Sequence, residues 1–264
     1  MTLTDTTLGE LRELAGRYPQ SRSALLPMLH LIQSAEGNVT NEGIEVCAEI
    51  LGISAAEVSG VATFYTMYKR RPMGEHHVGV CTNTLCAVMG GDLIFERLKG
   101  HLDVGNDETT EDGKVTLEHI ECNAACDFAP VMMVNWEFFD NQTPESAVEL
   151  VDKLRAGETV QATRGATITS WREAERVLAG FEDGLVDEGP AAAGPSLAGL
   201  EIAADRGWKA PTVDEAHDKQ SSSGDDATAD TKAGAAEQAD TSRAESETTI
   251  EESPADTAKE GDDD

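Results

Sequence analysis

The opening part of the chain shows the spacing of amphipathic helices. Between residues 8 and 70, apolar residues recur three and four positions apart, in three or four segments separated by turn residues. Asn41 stands where it can cap one of these segments, and Ser54 with Glu57 has the spacing of a capping box at the start of the next. The pattern therefore predicts a helical region over residues 1–72.

After residue 73 the spacing changes to the alternation of half-buried strands, with two helical segments between them. Leu93, Ile94 and Leu98 form the expected apolar face of the first of these helices. Strand, helix, strand, strand and helix within about 85 residues predict a small α/β sandwich over residues 73–160, so the expected fold class is α+β. The predicted elements are strands over residues 77–81, 116–122, 131–134 and 136–139, a helix over 85–98, a polar turn over 107–113, and a helix that Thr143 caps and Gly157 ends.

The rest of the chain has less material for a core. A helical extension is predicted over residues 161–188, where Trp171, Val177 and Leu178 fall on one helix. Residues 189–264 consist mainly of Ala, Gly, Pro, Ser, Thr, Asp and Glu. Such a composition predicts a mostly disordered acidic tail.

One segment of this tail has a helical pattern. Leu197, Leu200, Ala204 and Trp208 lie three or four residues apart, on one helical face, and Ser196 is placed to cap the helix. A helix this short is marginal alone in water. The pattern therefore indicates either a docking contact or a chance cluster in a linker.

The net charge is strongly negative and unevenly distributed. Of the formal charge of −30, residues 181–264 carry −17, from 23 acidic and 6 basic residues. Negative charge repels nucleic acid and anionic membrane surfaces, so neither is expected as a direct partner. The sequence shows no apolar stretch of the roughly 20 residues that cross a bilayer and no signal-peptide pattern. The protein is therefore expected in the cytosol, where clustered cysteines more often bind metal than form disulfides.

Four of the five cysteines form a spaced set. Cys81 and Cys86 have the spacing C-x4-C, and Cys122 and Cys126 follow after 35 residues with the spacing C-x3-C. Each pair sits at the end of a predicted strand, with Cys81 and Cys122 as the last strand residues, so loops at one edge of a sheet can bring the four thiolates together. Two irons bridged by two sulfides require four such ligands. Three alternatives remain open. They are a structural zinc ion, although zinc sites commonly have C-x2-C pairs, a set of two disulfides, and cysteines with no shared role.

Other candidate residues are interpreted as structural. Cys47 lies in the middle of a predicted helix and is expected to be a small buried hydrophobe. His76 and His77 precede Cys81 and are expected at the edge of a strand rather than as ligands, because four cysteines suffice. Three aromatic residues belong either to the core or to a docking face for a partner: Phe64, Tyr65 and Tyr68.

Four segments of the sequence resemble a known family. They are Ser23–His30, Gly60–Tyr68, Gly79–Cys86 and Glu121–Asn135. Taken together they resemble the E subunit of NADH:quinone oxidoreductase, the small [2Fe–2S] subunit of respiratory complex I, over roughly residues 8–157.

The resemblance carries several implications. It implies a thioredoxin-like [2Fe–2S] ferredoxin domain behind a helical region, with Cys81, Cys86, Cys122 and Cys126 as the ligands of one cluster. It also implies a subunit of an NADH dehydrogenase that exchanges single electrons with FMN in a partner flavoprotein subunit and is inactive as an isolated chain. NADH and FMN then bind in that partner, in line with the lack of a G-x-G-x-x-G or phosphate-loop motif here.

The same resemblance implies which partners the chain has and where in the cell it lies. The partners are the flavoprotein and other subunits of the peripheral arm, at the inner face of the cell membrane without direct insertion. Two other assignments stay open: the equivalent diaphorase subunit of an NAD-linked hydrogenase or formate dehydrogenase, and a zinc-stapled interaction module with no redox role.

The sequence departs from the family at one loop. The family usually has Leu-Gly directly after the first cysteine of the second pair, where this chain has Asn123 and Ala124. Alanine lacks the easy access of glycine to positive φ. The expected departure is therefore in the conformation of the loop and not in the set of ligands.

Overall fold

The structure, a computed structural model, describes residues 3–186, 188–189 and 194–210. The chain starts with a group of helices whose apolar faces share one core. The elements of this region are α1 (Asp5–Gly16), a short 3-10 helix (Ser21–Ala24), α2 (Leu25–Glu36), α3 (Asn41–Leu51) and α4 (Ala55–Phe64).

The helix starts of this region follow from local hydrogen bonds. The capping box at Ser54 and Glu57 is confirmed, with the side chain and the backbone of each residue bonded to the other. The cap of α3 was predicted wrongly by one residue. Thr40 has the extended backbone of an N-cap, and its hydroxyl accepts from the N–H of Gly43 at 3.0 Å, whereas Asn41 is already helical.

A five-stranded mixed sheet follows, in the order β2-β3-β1-β4-β5. Only β1 and β3 run parallel, and every other neighbouring pair is antiparallel. The elements are β1 (His76–Cys81), α5 (Thr84–Val88), α6 (Gly91–Leu102), β2 (Glu108–Thr109), β3 (Val115–Ile120), β4 (Met132–Val134), β5 (Glu137–Phe139) and α7 (Pro144–Ala156).

The two faces of this sheet differ in character. Val78 and Val80 of β1 point to the face that α6 and α7 cover, and there they belong to a continuous apolar core. His77 and Cys81 alternate with them and point to the opposite face. Because β1 and β3 run parallel, their carboxyl ends lie at the same edge of the sheet.

The region predicted as one helix over residues 85–98 is two helices. Gly90 has φ of +112°, a left-handed conformation that separates α5 from α6. Gly91 then packs so closely on β1 that a Cβ there would lie 2.5 Å from the carbonyl oxygen of Cys81. Leu93, expected on the buried face, is exposed.

Two strand predictions are corrected by pairing. The segment 107–113 is not only a turn, because Glu108 and Thr109 pair with β3. The strand predicted to reach Cys122 ends at Ile120. The β4–β5 hairpin and the Thr143 cap are confirmed.

The segment that follows the sheet in the sequence packs against the helices of the first region. Helix α8 (Trp171–Leu178) begins at a capping box and is shorter than the helical extension predicted over residues 161–188. Trp171 is buried as expected, whereas Val177 and Leu178 are exposed. The carboxylate of Glu175 on α8 accepts hydrogen bonds from α2, which fixes α8 against that helix.

The helix predicted in the tail is present as α9 (Gly194–Asp205). It begins at Gly194, so Ser196 lies in its first turn and does not cap it, contrary to the expectation. Leu200 and Trp208 are exposed. Residues 211–264, most of the predicted disordered tail, lie outside the described residues, and the predicted domain boundaries stay predictions. Among the helices of the described residues, none has the length and apolar character needed to span a bilayer.

Candidate functional site

The structure brings the four spaced cysteines to one groove at the edge of the sheet. Cys81 is the last residue of β1, and Cys86 lies in the short helix α5, where both are buried. Cys122 lies two residues beyond β3 and is exposed, and Cys126 opens a 3-10 turn. The groove has a volume of about 330 Å³. Cys47 is buried in the helical core as expected, separate from this groove.

The four thiols stand as two pairs. The sulfur atoms of Cys122 and Cys126 are 3.5 Å apart, and the side chains of Cys81 and Cys86 are hydrogen-bonded to each other. Burial, together with the neighbouring thiols of Cys86 and Cys122, raises the pKa of the Cys81 thiol to about 11. The thiol of Cys122 likewise raises the pKa of Cys126. Thiolates crowded in this way need a cation to ionise together, which is what a bound metal centre provides.

The pairing of the thiols also bears on which metal centre fits. In a binuclear iron–sulfur centre each iron takes two of four thiolates. Four thiols standing in two pairs are the donor set that two bridged irons require.

Two local contacts hold the cysteine loops. Asn83 lies between Cys81 and Cys86, and its side-chain nitrogen Nδ2 donates to Glu121 Oε2 at 2.9 Å. This bond connects the loop after β1 to the loop after β3. Ala124 has φ of +57°, the left-handed conformation that glycine adopts easily. Alanine holds this conformation at a cost of about 1–2 kcal/mol, and a change of the loop relative to the family stays a prediction. In that conformation its backbone N–H donates to Cys122 Sγ at 3.4 Å.

The two histidines before Cys81 do not lie at a strand edge, contrary to the expectation. Both are buried in β1, the central strand of the sheet. His77 Nε2 is 2.7 Å from Glu118 Oε2, and His76 Nδ1 is 3.2 Å from the amide nitrogen of Asn135. Neither residue lines the cysteine groove.

The sequence did not predict a buried ion pair that lies on the face of the sheet opposite the apolar core. Lys69 and Glu118 form a short salt bridge, and the side chain of Lys69 is only 8% exposed. Alternation along β3 places Glu118 on the face opposite the apolar core, which was a signal that this carboxylate needs a partner. The sequence offered nothing to identify that partner, which lies 49 residues away along the chain.

Two exposed apolar side chains line the cysteine groove, and two more follow them closely in the sequence; all four were also missed. Leu85 and Val88 line the groove itself, and Val88 is 78% exposed. Met89, at the end of α5, and Leu93, in the first turn of α6, are more than half exposed. We call these four residues the apolar rim. Of the aromatic residues considered earlier, Tyr68 is core and Phe64 is exposed.

Comparison with known proteins places the chain in a family. The family model of thioredoxin-like [2Fe-2S] ferredoxins matches residues 11–155. The E subunit of the NADH-quinone oxidoreductase from Mycobacterium tuberculosis and from Mycobacterium bovis is 62% identical over 203 residues, which cover 76% of this chain and 81% of each relative. The chain belongs to the thioredoxin-like [2Fe-2S] ferredoxin family. The resemblance to the E subunit and the α+β thioredoxin-like fold are thereby confirmed.

More distant relatives were also found. The E 2 subunit of the NADH-quinone oxidoreductase of Rhizobium meliloti is 35% identical over 157 residues, covering 60% of this chain and 94% of the relative. Among solved structures, an NAD+-reducing [NiFe]-hydrogenase is similar at a TM-score of 0.45 and 16% identity, covering 50% of this chain and 23% of that one. The close mycobacterial relatives and the family membership make the chain a subunit of an oxidoreductase.

Proposed function

We propose that Cys81, Cys86, Cys122 and Cys126 hold one [2Fe–2S] cluster, and that the chain is an electron-transfer subunit of an NADH:quinone oxidoreductase. The observation that carries this proposal is the meeting of four thiols, in two pairs, at one edge of a sheet in a chain of this family. Such a cluster, when bound, accepts or gives up one electron at a time.

The residues around the thiols have distinct tasks in this proposal. Burial of Cys81 and Cys86 keeps water from one pair, while the second pair stands open toward a partner. The N–H of Ala124 donates to Cys122 Sγ, and hydrogen bonds to sulfur are one of the means by which proteins set the potential of such a site. Glu121 and Asp127 flank two of the thiols with negative charge, which disfavours the reduced state and favours a low midpoint potential.

The partner in this proposal is a flavoprotein subunit that binds NADH and FMN. Hydride transfer delivers two electrons at once, so a one-electron carrier beside the flavin receives half of them. The apolar rim is the surface on which this partner docks, because Leu85 and Val88 line the same groove as the four cysteines. A contact at the rim brings the flavoprotein next to the site and covers apolar side chains that otherwise face water. We place the assembled complex at the inner face of the cell membrane.

The proposal is tested by a spectrum of the full-length protein. We expect a brown protein that absorbs in the visible and bleaches with dithionite, with about two irons and two sulfides per chain. Isolated from its partner, the protein should show no oxidation of NADH by ferricyanide. A colourless protein that contains zinc would contradict the cluster, and NADH oxidation by the isolated chain would contradict the division of labour with a flavoprotein.

The docking surface is tested by placing a charge on the rim. Val88→Asp should weaken binding of the flavoprotein subunit about tenfold or more, since a buried unpaired carboxylate opposes association. The affinity is measured by titrating the purified flavoprotein with the cluster-loaded chain. Val186→Asp is the matched control, because Val186 is 92% exposed and does not line the cysteine groove. Equal affinities for the two variants, with both cluster spectra intact, would place the partner elsewhere.

A further inference from the structure

One arginine contacts two phenylalanine rings beside the cysteine site. The guanidinium carbon of Arg164 lies 5.0 Å from the centroid of the Phe128 ring and 4.4 Å from that of the Phe138 ring. These are cation–π contacts, which are stronger where water is excluded. The side chain of Arg164 is only 13% exposed, so most of it is out of water. Nothing in the proposed function uses this residue.

The two rings pack against the buried part of the cysteine site. Phe128 and Phe138 lie against a small apolar cluster that contains Cys81 and Cys86. Phe128 also ends the 3-10 turn that Cys126 opens. A movement of the Phe128 ring therefore reaches both pairs of thiols, one through packing and the other through the backbone of the turn.

A carboxylate fixes the direction of the arginine side chain. Nε of Arg164 donates to Oδ2 of Asp140, and Nη2 donates to Oδ1, each at 2.8 Å. This is the bidentate geometry of an arginine–carboxylate pair, in which the planar guanidinium is held at two points. The side chain of Asp140 is 8% exposed, so the pair is buried together. Because the two charges cancel, the pair acts on the cysteine site through position rather than through net charge.

The backbone at Arg164 is bound to β5. Arg164 forms an antiparallel bridge with Phe138. The N–H and the hydroxyl of Thr163 donate to the carbonyl oxygen of Phe138 at 2.9 and 2.8 Å. The same hydroxyl accepts from the N–H of Asp140 at 2.9 Å. The guanidinium is therefore attached to the sheet and can serve as a fixed support for the Phe128 ring.

The backbone after the cysteine turn has supports of its own, but the ring depends on packing. The carbonyl oxygen of Phe128 accepts from the N–H of Asn141 at 2.8 Å, and that of Pro130 accepts from the N–H of Gln142 at 2.9 Å. A phenyl ring carries no hydrogen-bonding group, so only the side chains against it fix its position. Arg164 is one of these side chains, and it comes from a segment beyond residues 11–155, which the family model matches.

We infer that Arg164 is a positioning residue for Cys122 and Cys126, the less buried pair of thiols, and that it acts through Phe128. This inference rests on the proposed function, in which that pair holds one of two irons. The orientation of a metal ligand depends on the residues that support it from behind. By holding the Phe128 ring, Arg164 keeps the turn of Cys126 in one conformation.

The test compares Arg164→Met with the wild type as cluster-loaded, full-length protein. Methionine keeps an unbranched apolar side chain but has neither the charge nor the planar fork of arginine. We expect iron to pass to a chelator about tenfold faster than from the wild type, which is the size of a desolvated cation–π contact. The reduced electron-spin-resonance signal should broaden, because Cys126 then holds its iron in more than one geometry.

Arg176→Met is the matched control for this variant. Arg176 has the same combination of contacts in the helical region: a bidentate pair with Glu10 and a phenylalanine ring, that of Phe181, at 4.4 Å from its guanidinium carbon. It does not line the cysteine groove. Iron release and the resonance signal of this control should match those of the wild type. Equal release rates for Arg164→Met and Arg176→Met would overturn the inference.

Two further variants separate positioning from a general loss of stability. Arg164→Lys keeps a cation for Asp140 and for the rings but lacks the planar fork, so it should restore part of the slow release. Phe128→Leu removes the ring through which Arg164 acts. Adding Arg164→Met to Phe128→Leu should then speed release by less than about twofold. Fully additive effects of the two substitutions would overturn the route through Phe128.

A last measurement needs no cluster. In the metal-free, reduced protein, we expect iodoacetamide to modify Cys126 about threefold faster or more in Arg164→Met than in the wild type, because the turn is no longer held. Cys47, which is fully buried, should stay unmodified in both. An unchanged rate at Cys126 would overturn the inference. The proposed function fails separately, because a wild-type chain without the visible spectrum of a [2Fe–2S] cluster would contradict the cluster itself, while the modification rates still report on Arg164.

Discussion

Cys126→Ala is expected to abolish the reduced electron-spin-resonance signal and most of the visible absorbance of the protein. The sulfur of Cys126 lies 3.5 Å from that of Cys122, and the two form the less buried pair of the site. Removing one of them leaves a single protein thiolate for one iron, which does not hold a tetrahedral centre. The loss is measured on protein reconstituted with iron and sulfide, by spectra and by metal content per chain.

Cys47→Ala is the matched control for this experiment. Cys47 is fully buried in the helical core, and burial raises the pKa of its thiol to about 12, so it stays protonated and unavailable to metal. Its replacement should cost about 1 kcal/mol in the free energy of unfolding and leave the spectrum intact. A normal cluster in Cys126→Ala would refute the assignment of the ligands, whatever the control shows.

Glu175→Ala is expected to lower the free energy of unfolding by about 3 kcal/mol. The carboxylate is fully buried and accepts three hydrogen bonds from separate parts of the chain. The donors are Nδ1 of His30 at 2.6 Å, the amide nitrogen of Gln33 at 2.7 Å and Nε1 of Trp136 at 3.0 Å. Alanine removes the acceptor of all three bonds, although Gln33 still donates to the carbonyl oxygen of Met67, and α8 loses these contacts with α2 and the hairpin. The loss is measured by urea unfolding followed by circular dichroism.

Two further variants separate this network from a general effect of removing charge. Glu175→Gln retains a carbonyl oxygen as an acceptor and should lose less stability than the alanine variant. Glu149→Ala removes an exposed carboxylate on α7 and should leave the urea midpoint unchanged. If Glu149→Ala and Glu175→Ala unfold at the same urea concentration, the buried network does not hold α8 in place.

Features that depend only on residues close together in the sequence could be predicted from the sequence. The capping box at Ser54 and Glu57 closes within four residues, so its hydrogen bonds need nothing from the rest of the chain. The β4–β5 hairpin turns on Asn135 and Trp136, both at positive φ, between two apolar runs that pair directly. The four spaced cysteines belong to this group as well, because ligand type and spacing are properties of the sequence. Their assignment as cluster ligands stays a proposal.

Features that depend on distant contacts were decided by the tertiary structure. The break at Gly90 exists because Gly91 must pack on the carbonyl of Cys81, a contact that the helical periodicity of residues 85–98 does not contain. Burial of His77 depends on β1 being the central strand, which is a matter of pairing with β3 and β4.

The placement of α8 shows the same limit most clearly. The sequence indicated a helix near Trp171, but its position is set by Glu175, whose partners on α2 lie more than 140 residues earlier in the chain. A buried carboxylate needs hydrogen-bond donors, and these can come from residues far away in the sequence that folding brings close to it. Local hydrogen bonds and apolar periodicity therefore determined the elements and the candidate ligands of this protein, while the partners of its buried charges were determined only when the elements packed.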